Sequence, residues 1–231
     1  MKPDRRPHIL LNYAMSLDGK ISTEHRDPVL FTSKIDRGLM DEIRADVDAV
    51  LIGAGTLRAE EPPVRIRSAR RRDERVRTGK SPHPVSVILS RTMLLPVEGR
   101  YWKDDQVERI IATTNQAPDE RILPFKAKAE VIRSGRHAVD LGELCRLLYD
   151  RGISRLLVEG GGEVNMAFWE AGLVDEVYLT LCPVVIGGRN APTAADGTGF
   201  TVDCIRKLRL IESRRVGQEL FLRYRMVRTR S

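Results

Sequence analysis

Apolar residues recur with two different spacings along the first part of the chain. Residues 8–15 and 49–53 form short, almost wholly apolar runs, as buried strands do. Between these runs, Ile35, Leu39 and Ile43 lie four residues apart, which places them on one face of a helix. The order strand, helix, strand is that of a β-α-β unit. The sequence therefore predicts an α/β fold with a mainly parallel sheet.

Further segments continue this pattern. Short apolar runs at 85–90, 109–114 and 129–134 are each compatible with a strand, although the connections between them are too irregular to predict helices. A helix is predicted between Asp140, which begins a capping box, and Gly152, a typical C-terminal stop.

The C-terminal third predicts one more strand and helix, followed by strands alone. A strand that ends in Gly160–Gly162 precedes a helix with Val164, Phe168 and Ala171 on one face, which ends at Gly172. No helical pattern follows. We expect the remaining segments to join the sheet as antiparallel strands.

Length and composition favour one globular domain. The chain has 231 residues, of which 42% are hydrophobic and 31% charged, which excludes disordered and collagen-like proteins. It contains no run of about 20 apolar residues and no full signal-peptide core, so we expect a cytoplasmic protein without a membrane partner. We expect a single α/β domain over 1–231, with its core at about 8–227, a mostly parallel central sheet flanked by helices, and antiparallel C-terminal strands.

The cysteines and histidines do not form a metal-binding pattern. The three cysteines are widely spaced without a CxxC pair, and the four histidines show no HxE or HExxH spacing. We therefore expect no metal site.

Positive charge is concentrated between Arg65 and Lys80. This segment carries seven arginines and one lysine in a chain whose net charge is +7. It contains no aromatic residue, whereas a surface for single-stranded nucleic acid would offer rings on which bases stack. We interpret residues 65–84 as an exposed, arginine-rich loop, and the alternative is that one or two of these arginines bind a substrate phosphate. We expect no nucleic-acid partner.

Two glycine clusters follow predicted strands. The first, from Gly53 to Thr56, fails as a dinucleotide-binding fingerprint because Arg58 stands where the third glycine belongs. The second, Gly160–Gly162, allows close backbone approach where a helix begins, which suits a phosphate; a tight turn is the alternative. Because ligands of open α/β sheets bind beyond the carboxyl ends of strands, the two clusters together favour an extended nucleotide ligand.

Six segments of the chain, in order, resemble the reductase domain of riboflavin biosynthesis. They are MSLDGKI (15–21), RADVDAVLIGAGT (44–56), EEPPVRIR (60–67), ILSRTMLLP (88–96), LLVEGGGEVN (156–165) and GLVDEVYLTLCPVVIGG (172–188). The resemblance runs from about residue 8 to 227 and implies a dihydrofolate-reductase-like fold and a homodimer. It further implies NADPH-dependent reduction of a ribosylamino-pyrimidine 5′-phosphate to its ribitylamino form. In many bacteria a deaminase is fused to this reductase. The HxE and PCxxC motifs of that deaminase do not occur in this chain, so we expect the reductase alone.

The resemblance also implies which residues form the site. The positions that match NADPH-binding residues are Ala14, Thr56, Glu60, Ser90, Arg91, Gly160, Gly161, Gly162, Glu163 and Val164. The positions that match substrate-binding residues are Arg44, Val64, Arg67 and Glu159. The candidate proton donors, by position, are Asp18, Lys20 and Glu159. The Ser90–Arg91 pair would hold the 2′-phosphate that distinguishes NADPH from NADH.

Simpler roles and three departures leave alternatives open. Arg44 could be a solvated helix residue, Asp18 a turn residue and Lys20 a solvent-exposed one. Pro28-Val29-Leu30 stands where the family often has Ser-x-Trp, Glu60 replaces an Asp, and Ser90 replaces a strand-end Asp. A dihydropterin or dihydrofolate reductase is therefore the first alternative, and a non-catalytic, nucleic-acid-binding basic protein is the second. The sequence does not decide between a deaminated and a diamino pyrimidine substrate.

Overall fold

A computed structural model describes residues 5–26 and 31–227 of the chain. The described residues fall into two compact units. The first unit comprises residues up to His8 and residues 38–157, and the second comprises 9–37 and the residues from Val158 onward. No helix in the described part of the chain is long and apolar enough to cross a membrane.

Nine strands and six α-helices make up the described fold. The strands are β1 (His8–Met15), β2 (Ala49–Gly53), β3 (Val85–Leu89), β4 (Arg109–Thr113), β5 (Glu130–Arg133), β6 (Arg155–Val158), β7 (Glu176–Leu181), β8 (Leu208–Val216) and β9 (Glu219–Met226). The helices are α1 (Lys34–Asp46), α2 (Ala54–Glu60), α3 (Ala69–Arg77), α4 (Asp119–Ile122), α5 (Leu141–Asp150) and α6 (Gly162–Glu170). Three short 3₁₀ turns cover Arg100–Trp102, Leu123–Phe125 and Val202–Cys204.

The first unit is built on parallel strands in the order β5-β4-β3-β2-β6. The pairs β2–β3, β3–β4 and β4–β5 are all parallel. Every residue of β2 and β4 is buried, as expected of central strands in a parallel sheet, which are covered on both faces. The strands predicted from the apolar runs are therefore confirmed, each to within one residue at its ends.

The second unit has the strand order β1-β7-β9-β8. Strands β8 and β9 confirm the antiparallel C-terminal strands, since β9 pairs antiparallel with both β7 and β8. Strand β7 differs from the expectation because it pairs parallel with β1. It follows directly on helix α6, and a helical crossover is the connection that leads into a parallel strand. The fold is α/β with a mostly parallel sheet and antiparallel C-terminal strands.

The capping box predicted at Asp140 is half formed. The Asp140 carboxylate accepts a hydrogen bond from the Glu143 backbone N–H at 2.9 Å and so caps α5. The Glu143 side chain does not return to the cap but accepts from the Ser134 hydroxyl at 2.8 Å. The cap therefore ties the start of α5 to the end of β5.

The prediction of an arginine-rich loop over 65–84 is wrong for residues 69–77, which form helix α3. The physical reason is visible at Arg75, whose exposed fraction is only 5%. Its guanidinium donates to the carbonyl oxygens of Ala45 at 2.8 Å and Val47 at 2.7 Å, where helix α1 ends. Arg75 thus satisfies carbonyl groups that a helix end leaves without partners.

Candidate functional site

The predicted site residues fall into two groups, one in each unit. In the first unit the carboxyl ends of β2, β3 and β4 meet at one edge, because Gly53 pairs with Leu89 and Leu89 with Ala112. Thr56 lies in the first turn of α2, directly after β2, and Ser90 follows β3. Both residues therefore lie at the edge where ligands of open α/β sheets bind.

Ser90 and Arg91 differ in their availability to a ligand. Ser90 is 2% exposed, and its hydroxyl oxygen accepts a hydrogen bond from the Met93 N–H at 3.1 Å. Arg91 is exposed, and its guanidinium has no partner among the described residues. Its carbonyl oxygen accepts from the Thr114 hydroxyl at 3.3 Å, which fixes the main chain. The guanidinium, rather than the hydroxyl, is free to bind a phosphate.

Arg44 is buried and fixes the segment 63–67. It is 3% exposed, and its Nη1 donates to the carbonyl oxygens of Pro63 and Arg65, both at 3.0 Å. A solvated helix residue, the simpler alternative for Arg44, is therefore wrong. Val64 lies between these two carbonyls and is also buried. Helix α1 holds this part of the predicted substrate site in place.

Arg67 lies on the same segment but is exposed. The Asp41 carboxylate accepts hydrogen bonds from the backbone N–H groups of Arg67 at 2.9 Å and Ser68 at 3.0 Å. The guanidinium of Arg67 has no partner in the described part of the chain, so α1 positions the residue through its main chain alone. Glu60 is exposed at the end of α2, and its carbonyl oxygen accepts from Arg100.

In the second unit, Asp18 joins the turn after β1 to a later loop. Its carboxylate accepts hydrogen bonds from the N–H groups of Ile186 at 3.1 Å and Gly187 at 2.7 Å. Hydrogen bonds from Ser16 and from these two amides lower the pKa of Asp18 to about 2. An ionised carboxylate held by backbone amides suits the turn role better than proton donation.

Lys20 contacts the same loop. Its ammonium donates to the Ala191 carbonyl oxygen at 3.0 Å, and its backbone forms an isolated antiparallel bridge with Thr193. The Lys20 N–H donates to the Ser16 hydroxyl oxygen at 2.8 Å. Lys20 is half-buried and its ammonium is held by a carbonyl oxygen, so it is not simply a solvent-exposed residue.

The glycine run meets the far end of this loop. Helix α6 begins at Gly162, with Gly161 as its N-cap. A Cβ on Gly162 would lie 2.3 Å from Asp196 Oδ2 and 2.5 Å from the Thr193 carbonyl oxygen, so packing alone requires glycine there. Gly160 has a φ of +94°, and a Cβ on it would meet no atom closer than 3.6 Å. Glycine is therefore required by packing at Gly162 and favoured by the positive φ at the buried Gly160.

The loop 186–196 makes contacts that the sequence analysis did not predict. It binds the turn of Asp18 and Lys20 at one end and Gly162 at the other. The Asn165 side-chain amide of α6 also donates to the Ala194 carbonyl oxygen at 2.8 Å. The sequence signals a turn at its two glycines, but no local pattern indicates these partners.

The remaining predicted residues of the second unit surround these contacts. Ala14 lies on β1 and pairs with Thr180 of β7. Glu159 is half-buried directly after β6. Glu163 and Val164 lie in the first turn of α6, where backbone N–H groups have no acceptor within the helix.

Asp36 is a second feature that the sequence did not reveal. It is 8% exposed in the first turn of α1, and the Thr180 hydroxyl donates to its Oδ1 at 2.7 Å. Burial raises the pKa of Asp36, and the nearby carboxylate of Glu219 raises it further. A carboxyl group that holds its proton to higher pH can act as an acid. Its sequence neighbours are those of an ordinary amphipathic helix, so no signal marked it.

Each unit, taken by itself, offers donors that fit a phosphate group such as those of NADPH. The exposed guanidinium of Arg91 would hold a phosphate by charge-assisted hydrogen bonds. In the second unit, the first turn of α6 would hold a phosphate through its N–H groups and the helix dipole. No cluster of metal-ligating side chains occurs within residues 5–26 and 31–227. The segment Pro28-Val29-Leu30, one of the three departures from the family pattern, lies outside the described residues.

Comparisons with known proteins agree with this geometry. Residues 7–222 match the family described as the RibD C-terminal domain. A 2,5-diamino-6-ribosylamino-4(3H)-pyrimidinone 5′-phosphate reductase of Archaeoglobus fulgidus is 35% identical over 213 residues, which cover 92% of this chain and 95% of that protein.

Solved structures show the same fold. A pyrimidine reductase-like protein of Corynebacterium diphtheriae superposes with a TM-score of 0.85 at 21% identity, covering 96% of this chain and 93% of the other. The dihydrofolate reductase of Enterococcus faecalis, solved with NADP(H), gives a TM-score of 0.52 at 13% identity, covering 95% and 96% of the two chains. The dihydrofolate-reductase-like fold is confirmed.

Proposed function

Because this chain belongs to the RibD C-terminal domain family, we propose that it reduces a ribosylamino-pyrimidine 5′-phosphate to the ribitylamino form with NADPH. It is an oxidoreductase of riboflavin biosynthesis. The Archaeoglobus relative is named for the 2,5-diamino pyrimidinone and is similar over nearly the whole of both chains. We therefore take the diamino compound as the substrate.

The contacts of loop 186–196 within the second unit are the observation that carries this proposal. One loop, 186–196, holds the turn of Lys20 at one end and the glycine run at the other. The same loop therefore fixes the backbone of the glycine run, which we propose binds phosphate, and the ammonium of Lys20. A reductase needs this combination, because it must hold a cofactor and protonate its substrate at one place.

Proton delivery is the chemical task of the protein. The cofactor chemistry, when NADPH is bound, would be donation of a hydride to C1′ of the ring-opened imine. The imine nitrogen needs a proton, for which Lys20 and Glu159 remain the proposed donors, and Asp36 joins them because burial favours its protonated form. Asp18 contributes by fixing the turn that carries Lys20.

Substrate phosphate binding is assigned to Arg67. Its guanidinium is exposed while Asp41 fixes its main chain, so it is positioned without being neutralised. The buried Arg44 supports it by holding the carbonyl oxygens of the same segment. The arginines that lie on helix α3 are mostly engaged with α1 and with the segment before α3.

The first test compares substrates. We expect the purified protein with NADPH to reduce the phosphorylated diamino riboside far faster than its dephosphorylated form, because a remote phosphate positions the reacting carbon. Arg67→Ala should shrink that preference by about 10- to 100-fold, as expected for the loss of a charge-assisted contact. Arg70→Ala, a neighbouring exposed arginine paired with Glu74, is the matched control and should change nothing.

One pattern of results would support the pterin alternative. In that pattern the protein reduces dihydrofolate readily, ignores the phosphorylated riboside, and is indifferent to Arg67→Ala.

We further propose that the protein is a cytoplasmic homodimer joined at strand β8. This strand lies at the end of the strand order and pairs only with β9 among the described strands. Eight of its nine residues are exposed, among them Leu208, Leu210 and Ile211. A long exposed edge strand with apolar side chains is a template for pairing with another copy, and two-fold symmetry lets β8 pair with itself.

A further inference from the structure

A cationic pocket lies in the first unit, at the edge opposite to Ser90 and Arg91. It has a volume of about 790 Å³, and its lining includes His83 and Val107. These residues precede β3 and β4, whose amino ends lie side by side because Ser86 pairs with Arg109. The five-residue strands separate this edge from the Arg91 edge by about 15 Å at a rise of 3.3 Å per residue.

The lining carries more positive than negative charge. Its two carboxylates are Asp104 and Asp105. Its cationic side chains are Arg65, Arg67, Arg72, Arg100, Lys103 and Arg109. Of these cations, only Arg65 forms an ion pair among the described residues, and it reaches Asp104 at the long distance of 3.4 Å. Such a cavity concentrates anions.

Backbone carbonyls orient several of these cations without neutralising them. Arg72 donates to the Ile66 carbonyl oxygen at 3.0 Å and to that of Arg67 at 2.8 Å. Arg100 donates to the carbonyl oxygens of Glu60 and Glu61. Each guanidinium is held in a fixed orientation and keeps its full charge, which is the arrangement that binds phosphate oxygens with little loss of side-chain freedom.

Arg109 is the buried member of the set. It is 8% exposed and donates to the carbonyl oxygens of Val107 and Tyr101, both at 2.9 Å. Its Nε is buried and has no hydrogen-bond partner, and no carboxylate pairs with it within the described residues. A third carbonyl, of Asp104, and the rings of Tyr101 and Trp102 offset part of the cost of burying this cation, but no counter-charge does so within the described residues. An anion in the pocket would supply that charge.

The shape of the pocket suits a ligand that is only partly ionic. Apolar lining comes from Val64, Ile66 and Val107, and the volume is that of a small-molecule site. The His83 Nδ1 accepts from the Ile66 N–H at 3.1 Å, which anchors the apolar side. The lining contains both charged and apolar residues, and the phosphates and the base of a nucleotide have these two characters.

We propose that this pocket binds the phosphate chain of a di- or triphosphate, as a second site separate from the cofactor edge. Val64 and Arg67 also belong to the proposed substrate site, but the other lining residues have no role in the proposed reaction. A nucleoside triphosphate and inorganic tripolyphosphate share the chemistry that the pocket recognises. The apolar lining favours the nucleotide.

Calorimetric titration of the NADPH-saturated protein with ATP and with tripolyphosphate tests this proposal. Both should bind at one site, with affinity that falls steeply as salt is added. Lys103→Glu should weaken binding by at least about tenfold, and Asp105→Asn should strengthen it about two- to fivefold, because the two changes alter the local charge in opposite directions. Neither side chain has a partner in the described part of the chain, so both variants should fold.

Arg70→Glu on α3, outside the lining, is the control and should leave the affinity unchanged. Tighter binding of ATP than of tripolyphosphate identifies a nucleotide site, and equal affinities identify a site for the phosphate chain alone. Absence of binding at low salt, or equal binding by all three variants, overturns the proposal. So does a parallel rise in the KM of the riboside with Lys103→Glu, since the pocket would then be part of the substrate site. These outcomes do not depend on the reductase assignment, because binding is measured directly.

Discussion

Arg91 is the residue that we propose binds the 2′-phosphate of NADPH. Its exposed guanidinium lacks a partner among the described residues, whereas NADPH carries a 2′-phosphate that NADH lacks. Arg91→Ala should raise the Kd for NADPH by about 10- to 150-fold, or about 1.5–3 kcal/mol, and leave the Kd for NADH nearly unchanged. Fluorescence titration with both cofactors measures the two constants. Equal weakening of both would show that Arg91 does not contact the 2′-phosphate.

Ser90→Ala is the matched control at the adjacent position. Its hydroxyl oxygen accepts from the Met93 N–H inside the protein, so the variant should lose about 1 kcal/mol of unfolding free energy. The ratio of the two cofactor affinities should stay as in the parent protein.

For single residues, the sequence predicts which residues belong to the candidate site better than it predicts which of their side chains are buried. It indicates both members of the Ser90–Arg91 pair, but only tertiary contacts decide that the hydroxyl is buried and the guanidinium exposed. It leaves Arg44 open as a solvated residue because its neighbours are polar, yet two carbonyl groups distant in sequence bury it. Such partners leave no local pattern.

The pairing of β7 with β9 depends on a buried carboxylate. Glu176 is 3% exposed, and Arg223 and Arg225 of β9 each donate two hydrogen bonds to it, at 2.6–3.1 Å. Burial acts to raise the pKa of Glu176, but the hydrogen bonds and charges of the two arginines outweigh it and lower the pKa. A lowered pKa in the folded state contributes stability above the unfolded pKa of about 4.3, and that contribution is lost as the pH falls through the folded value.

Glu176→Gln should therefore reduce the unfolding free energy at neutral pH by about 1–3 kcal/mol, below the range for fully buried pairs because both arginines are partly exposed. The difference from the parent protein should shrink as the pH falls below about 4 and through the lowered pKa of Glu176 in the folded protein. Denaturant melts at several pH values measure it. Glu98→Gln, at an exposed carboxylate without a partner among the described residues, should show no such difference; a difference that stays constant with pH would contradict the assignment.

Elements with strong internal periodicity were predictable, and elements defined by distant partners were not. The apolar runs of β2 and β4 predict directly that these strands are buried. Helix α3 has almost no apolar face from which it could be predicted. It contacts the end of α1 through the buried guanidinium of Arg75 instead. The direction of β7 depends on its partner β1, which is more than 160 residues away.

Assembly is the property that belongs to the whole molecule. If two copies pair through β8, the parent protein should sediment as a dimer, and Leu210→Lys should convert it to a monomer by placing a charge in the interface. Ser213→Lys, also exposed on β8 but replacing no apolar side chain, should weaken the dimer less. Analytical ultracentrifugation distinguishes these states. A parent protein that sediments as a monomer at micromolar concentration contradicts the proposal.

The net charge of +7 also has to be judged over the whole chain. Many arginines bind backbone carbonyls or single carboxylates within the protein, so a basic composition here reflects internal structure as well as ligands. The sequence correctly indicated the α/β fold and the family. It could not separate the structural arginines from those available to a ligand, since that distinction depends on distant carbonyl groups.

Loop 186–196 makes the turn of Lys20 and the start of α6 thermodynamically linked partners. Both are held by the same eleven-residue stretch, through Ala191 on one side and Thr193 and Asp196 on the other. A molecule that immobilises the glycine run also restricts loop 186–196. The turn of Lys20 then loses less conformational entropy when it binds a second molecule. By reciprocity, the second molecule strengthens the first by the same factor. If cofactor and substrate bind at these two places, as we propose, they would be coupled through one segment of chain that neither of them has to touch.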